Sequence, residues 1–189
     1  MLAGGASKRM GRDKALLPYR GRTLVEYVAA NVRDAVGNVA LIGHPARLSH
    51  LGLPVHPDEI AACGPACGIV TALRLSNTAW NLIVACDMPA ASSDVLRRLL
   101  AHAQEASEEN VISATGPDGQ PEPLCAVYHR RCLPPLETAV RDKRLKMRNL
   151  LRELGTVSIP VGVSALANVN TPTEWAEFEA AALKGLRQE

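Results

Sequence analysis

The sequence is poor in aromatic residues, with one Phe, two Trp and three Tyr among 189 positions. A core built almost without rings must come from Ala, Val, Leu and Ile, which suits helices packed on a mostly parallel sheet. The chain also lacks a charge imbalance. Its 21 Lys and Arg against 19 Asp and Glu give a net charge of +2, which points to neither nucleic acid nor a membrane surface as partner. No apolar run approaches the ~20 residues that span a bilayer. No charged-then-apolar leader is evident, so a cytoplasmic protein is expected. The five cysteines are odd in number. Cys63 and Cys67 are spaced CxxxC rather than the CxxC of zinc ribbons, and no histidine pair stands at ligand spacing, so reduced, buried thiols are expected rather than structural zinc. No Ser/His/Asp arrangement is evident.

What the chain does have is alternation. Thr23 to Ala35 carries Leu24, Val28 and Val32 at i, i+4 and i+8, an amphipathic helix. NVALIG (Asn38–Gly43) and GLPVHP read as short strands, and Gly68 to Leu75 as a helix. WNLIVACD (Trp80–Asp87) is the most apolar run and suits a central strand of a parallel sheet. A helix capped by Ser92 or Ser93 follows. NVISAT and LCAVYH are strands separated by the turn-forming GPDGQPEP. Helices near 131–141 and 146–154 precede the strand TVSIPV, and TPTE (Thr171–Glu174) is a capping box with Pro at the first helical position. The pattern predicts a three-layer α/β domain over residues 1–189, Rossmann-like, with helices on both faces of a mostly parallel twisted sheet and one antiparallel strand. Ligands of such sheets bind at the carboxyl ends of the strands. That rule directs attention to Gly4–Lys14, Pro57–Gly68, Asp87–Pro89 and Asn168–Thr171.

The first of these lies in LAGGASKRMGRDKALLP (Leu2–Pro18), which holds three glycines and four basic residues. Glycines let backbone N–H groups approach an anion closely, and Lys8, Arg9 and Lys14 add charge suited to a triphosphate. The P-loop is excluded because Gly11 is followed by Arg12 and Asp13, and the dinucleotide fingerprint GxGxxG is absent. Composition alone leaves a solvated basic loop as the alternative.

The same stretch resembles the signature LAGGxSxRMGxDKxLL of the molybdenum cofactor guanylyltransferases, which are nucleotidyltransferases of sugar-nucleotide type. CGPACGI (Cys63–Ile69), CDMP (Cys86–Pro89), EPLCAVYHR (Glu122–Arg130) and NVNTPTEW (Asn168–Trp175) match further family segments in order. The resemblance covers nearly the whole chain. It departs at the start, where only Met1 and Leu2 stand in place of a longer apolar first strand, so a truncated start or a stub is expected. It departs again at Ala66 and Cys67 in the GPACG loop.

The resemblance implies transfer of GMP from GTP to the terminal phosphate of molybdopterin, with Mg²⁺ and loss of pyrophosphate. Molybdenum insertion proteins or recipient molybdoenzymes are the protein partners it implies. Arg9 and Lys14 would hold the triphosphate and the leaving pyrophosphate. Gly4, Gly5, Ala6 and Ser7 would supply backbone donors, and Leu2, Ala3, Asp58, Gly64 and Pro65 would select the base. Asp87, at the end of an apolar strand, is a natural Mg²⁺ ligand. One of Asn168 and Asn170 would complete the metal shell, and both would contact the acceptor; turn bonding ahead of Pro172 is their alternative. Asp58 can accept from guanine N1–H and N2–H₂ but is otherwise an ordinary loop acid. The competing readings are a cytidylyltransferase of the same cofactor, a sugar-1-phosphate nucleotidylyltransferase, and a non-catalytic nucleotide-binding protein.

Overall fold

A computed structural model of the chain describes residues 1–4, 13–60 and 64–185. Its elements run β1 (Pro18–Tyr19), β2 (Arg22–Thr23), α1 (Leu24–Val36), β3 (Leu41–Ile42), α2 (Pro45–Leu48), β4 (Val55–His56), α3 (Pro65–Leu75), β5 (Trp80–Val84) and α4 (Ser93–Glu105). They continue as β6 (Val111–Thr115), β7 (Pro121–His129), α5 (Leu133–Arg141), α6 (Met147–Glu153), β8 (Thr156–Pro160) and α7 (Pro172–Gly185). The sequence-derived helices are all present. α1 carries the full capping box between Thr23 and Glu26, α4 is capped by Ser92, and α3 starts three residues earlier than expected, at Pro65.

The sheet is organised around the first three residues. β3 and β4 pair in parallel, and a four-stranded ladder runs β5-β7-β6-β8. Leu2 joins the two through parallel bridges to Ile42 and Ala85. Leu2 N donates to Val84 O at 2.8 Å, Ala3 N to Ile42 O at 2.8 Å, and Cys86 N to Leu2 O at 3.0 Å. The spatial order is therefore β4, β3, the Met1–Ala3 stub, β5, β7, β6, β8. β7 is antiparallel to both neighbours, whereas β6 and β8 are parallel. The sheet is thus mostly parallel with one antiparallel strand, as expected, and β5 is central in it, between the antiparallel β7 and the parallel stub.

Two apolar layers flank the sheet. α1, α4 and the β1–β2 hairpin pack with Met1, Ala3, Val84 and Ala85 on one face, and α3, α5 and α6 pack with Ile83, Ala126 and Tyr128 on the other. Gly68 of α3 allows a close approach to the stub. A Cβ there would stand 3.0 Å from Leu2 Cδ2. The scarce aromatics are concentrated rather than spread. Tyr19 of β1 meets Tyr27 of α1 at 4.7 Å, Trp175 of α7 at 5.7 Å and Phe178 of α7 at 5.3 Å between ring centroids. Rings bury much area per residue, so this cluster clamps the last helix against the segment that follows Lys14. It brings residue 170 to residue 14.

Cys86, Cys125 and Cys132 are free and buried, as expected. Cys67 is disulfide-bonded, against the expectation of reduced thiols. That expectation rested on compartment and on an odd count, neither of which measures the geometry at one thiol.

Candidate active site

Three loops meet at the carboxyl edge of the stub and β5. Asp13 has extended backbone and caps a single 3-10 turn, Lys14–Leu16, by accepting from Ala15 N at 3.1 Å. Ala15 and Leu17 are buried, which fixes the turn to the core. The other oxygen of Asp13 accepts from Arg47 Nε of α2 at 3.0 Å and also from Arg47 Nη2. Lys14 is thereby aimed across the edge of the sheet. Its Nζ donates to Asp87 Oδ2 and, at 3.0 Å, to Asn170 Oδ1. Lys14 and Asp87 are each only 15% exposed, so the ion pair is shielded from bulk water.

Asp87 stands where β5 ends. Cys86 N donates to Leu2 O, and Val169 N donates to Asp87 O at 3.1 Å. The backbone on both sides of the carboxylate is thus tied to other elements. Val169 is 1% exposed and acts as the peg between two asparagines. Asn170 turns to Lys14, and its N–H donates to Glu174 Oε2 at 2.7 Å. Asn168 is exposed on the other side of the peg.

The base-side residues are arranged along β4, α3 and the stub. Asp58 follows β4 and accepts from Ile60 N at 3.4 Å and from the buried Thr71 hydroxyl of α3 at 3.1 Å, both through Oδ1. Gly64 caps α3 with φ +70°, a left-handed backbone that favours glycine, and Pro65 opens the helix. Leu2 is half-buried against α3. Ala3 borders the site through its backbone. It is 3% exposed in the opposite apolar layer, because side chains alternate along a strand. Gly4 is exposed where the stub ends. Gly5, Ala6, Ser7 and Arg9 lie outside the described residues.

Two neighbours of the site were not named as site residues from the sequence. Glu122, the second residue of β7, stands beside a register shift opposite Ser113 and Ala114. Ser113 Oγ donates to Glu122 O at 2.9 Å, and the fully buried Tyr128 hydroxyl donates to Pro123 O at 2.9 Å, so the irregular backbone is satisfied from within. Burial, reinforced by the charge of Asp87, raises the Glu122 carboxyl above its ordinary range, while its bond from Leu124 N and the charge of Arg148 act against that. Arg47 was missed because an isolated arginine between two strands has no periodic signature. The signal that could have led to it is its partner, since Asp immediately before a helical turn is a capping position.

Cys86 adjoins Asp87 with its thiol buried. Burial, then the Asp87 charge, push its thiol up to about 12. Among the described residues no group of three or more His, Cys, Asp and Glu could hold a metal ion. A cavity of about 890 Å³ lies at the opposite edge of the sheet, lined by Val32, Ile42, Trp80 and Leu100 among others, and takes no part in this constellation. No described helix is long and apolar enough to cross a membrane.

The sheet is that of an α/β protein, with a lysine, a carboxylate and a carboxamide converging at the carboxyl edge of its central strands, where such folds bind their ligands. The chain matches the family model of the MobA-like NTP transferase domain over residues 1–157. It is 33% identical over 178 residues to a probable molybdenum cofactor guanylyltransferase of Deinococcus radiodurans, covering 93% of this chain and 90% of that one. A relative of the same description from Nostoc is 33% identical over 184 residues, covering 95% and 88%. Among solved structures, molybdopterin-guanine dinucleotide biosynthesis protein A from Archaeoglobus fulgidus superposes with a TM-score of 0.79 at 24% identity, covering 97% of both chains. The 2-C-methyl-D-erythritol 4-phosphate cytidylyltransferase of Thermus thermophilus superposes at 0.69 with 19% identity, covering 96% of both chains. The chain belongs to the MobA-like NTP transferase family and is a nucleotidyltransferase.

Proposed function

We propose that the protein transfers GMP from GTP to the terminal phosphate of molybdopterin, releasing pyrophosphate. The relatives described as molybdenum cofactor guanylyltransferases support the substrate pair. The observation that carries the chemistry is the meeting of Lys14, Asp87 and Asn170 from three distant parts of the chain.

An acceptor phosphate oxygen forms a bond to the α-phosphorus as the bond from that phosphorus to the bridging oxygen of the pyrophosphate breaks. The acceptor is already anionic near neutral pH, so no general base is needed. The barrier is dominated by bringing two anions together in line and by charge on the departing pyrophosphate. Lys14 supplies a mobile cation for that charge. Asp87 and Asn170 hold the ammonium in place before nucleotide arrives and share it afterwards. Arg9 adds a second cation on the triphosphate side, with the backbone N–H groups of Gly4 to Ser7 as donors. Asp58, fixed through one oxygen by Thr71, presents the other to the guanine N1–H and N2–H₂ edge, with Leu2, Gly64 and Pro65 around the base. Asn168 is placed for the acceptor.

The donors also fit Mg²⁺. The Lys14 ammonium already sits between a carboxylate and a carbonyl oxygen, a hard-oxygen cradle for a cation. Asp87 and Asn170 would hold the ion, with phosphate and water oxygens completing its shell, and bound Mg²⁺ would neutralise charge on the phosphates. A panel of GTP, CTP, ATP and UTP with molybdopterin tests the proposal by pyrophosphate release. Acceptor-dependent release with GTP supports it. Release with CTP in preference would replace guanylyl by cytidylyl transfer.

A further inference from the structure

The Asp13 carboxylate is one residue from Lys14 and borders a site that must hold a polyanion. Left uncompensated, it would repel a triphosphate and compete with Asp87 for the Lys14 ammonium. The structure shows how it is occupied. Oδ1 accepts from Ala15 N and caps the turn, while Oδ2 accepts two bonds from Arg47. Arg47 does not itself join the Lys14, Asp87 and Asn170 group. It stands on α2, whose entry is fixed to the sheet. Arg47 N donates to His44 O at 3.0 Å, and Gly43 N donates to His56 O at 2.9 Å. Gly43 is pressed against the stub, where an added Cβ would lie 3.1 Å from Ala3 O. Asp13 and Gly4 bound the segment 5–12, so the pair ties its far end to the same floor that its near end leaves.

We propose that Arg47 is a positioning residue for Lys14: by holding Asp13 Oδ2 it keeps that carboxylate from the neighbouring ammonium and fixes the turn that carries it. Nothing in the proposed reaction requires Arg47 to touch substrate. A 3-10 turn of three residues has little stability of its own, and misplacing a catalytic group by ~1 Å can cost ~10²-fold. The fork matters for two reasons. Both guanidinium N–H groups reach one oxygen, leaving the other to cap the turn, and the positive charge cancels the negative one beside the phosphates. The inference rests on Lys14 acting on the triphosphate, as proposed above.

The test is a cycle of Arg47→Met, Asp13→Asn and the double variant in the full chain. In Asp13→Asn the side-chain amide oxygen can still accept from Ala15 N, but the charge is gone. Arg47→Met is expected to lower kcat/KM for GTP by ~10-fold or more, and the double variant to recover to within about threefold of wild type, since removing the carboxylate removes the need for Arg47. A merely structural Arg47 would give no such rescue. Arg97→Ala, which breaks a surface pair with Asp34 and Asp94, serves as the control and should leave kcat/KM unchanged. A second measurement needs no substrate. Competitive acetylation of Lys14, followed by mass spectrometry, should slow about threefold in Arg47→Met and return in the double variant, because the released Asp13 carboxylate then pairs with the neighbouring ammonium and shields it. Wild-type kinetics and labelling in Arg47→Met, or a double variant no better than the single, would overturn the assignment. If the wild type turned over no GTP, the guanylyl reading would fail, and the labelling cycle would still decide the role of Arg47.

Discussion

Lys14 and Asp87, 73 positions apart in sequence, form a largely buried ion pair at the carboxyl edge of the stub and β5. The pair is made by two separate local devices, a capped 3-10 turn on one side and a strand end pinned by Leu2 and Val169 on the other. Its consequences can be measured.

Asp87→Ala is expected to lower turnover by ~10²-fold or more, while circular dichroism shows a folded protein. Lys14→Ala should lower it comparably. The two together should cost far less than the product of the singles, because each loss disables the same unit. Full additivity of the two effects in log kcat/KM would show that they act independently.

Asp58→Ala should erode nucleotide choice more than rate. Discrimination by hydrogen bonds to a base edge can be large, since the wrong base leaves buried polar groups unpaired. The ratio of kcat/KM for GTP over CTP is expected to fall by ~10-fold or more. An unchanged ratio would remove Asp58 from base recognition.

Glu122→Gln should stabilise the fold in a pH-dependent way. Burial raises the folded-state pKa of Glu122 above its ordinary 4.5. The wild-type carboxyl is thus best accommodated below the unfolded pKa, and its ionisation costs stability as pH rises through the raised folded value. The amide keeps an oxygen to accept from Leu124 N without that cost. The variant's Tm should match wild type at about pH 4 and exceed it at about pH 8, and a constant Tm difference across that range would argue against the buried carboxylate as its cause.

Gly43→Ala tests the floor of the site. A Cβ there would meet Leu48 Cδ1 at 2.9 Å and the Ala3 carbonyl oxygen at 3.1 Å. Leu48 can shift but the stub backbone cannot move without losing its bridges, so a loss of roughly 1–3 kcal/mol is expected. Denaturant unfolding measures it.

The segments with strong local signals were legible in the sequence. α1 was set by its apolar stripe, though its Thr23 cap was not read, and α7 by the Thr171–Glu174 capping box, which forms as hydrogen bonds. Lys14, Asp87 and Asn170 were each found in a separate motif, and the rule that ligands bind at strand carboxyl ends put them on one edge. The mostly parallel sheet with one antiparallel strand was legible from the alternation of strands and helices and from the long turn before β7. The β1–β2 hairpin was missed because two residues per strand carry no period, and Arg20 and Gly21 turn it through positive φ values. Arg47 escaped because its meaning depends on Asp13, to which only the fold brings it.

The central claim is that the Lys14–Asp87 centre moves a guanylyl group, and following the α-phosphate tests it most directly. The protein would be incubated with GTP labelled at the α-phosphate, Mg²⁺ and molybdopterin, and the label traced by chromatography. The expected result is label in a molybdopterin guanine dinucleotide with wild type, and label remaining in GTP with Asp87→Ala. Equal transfer by Asp87→Ala, or none by wild type under conditions where labelled CTP reacts, would contradict it.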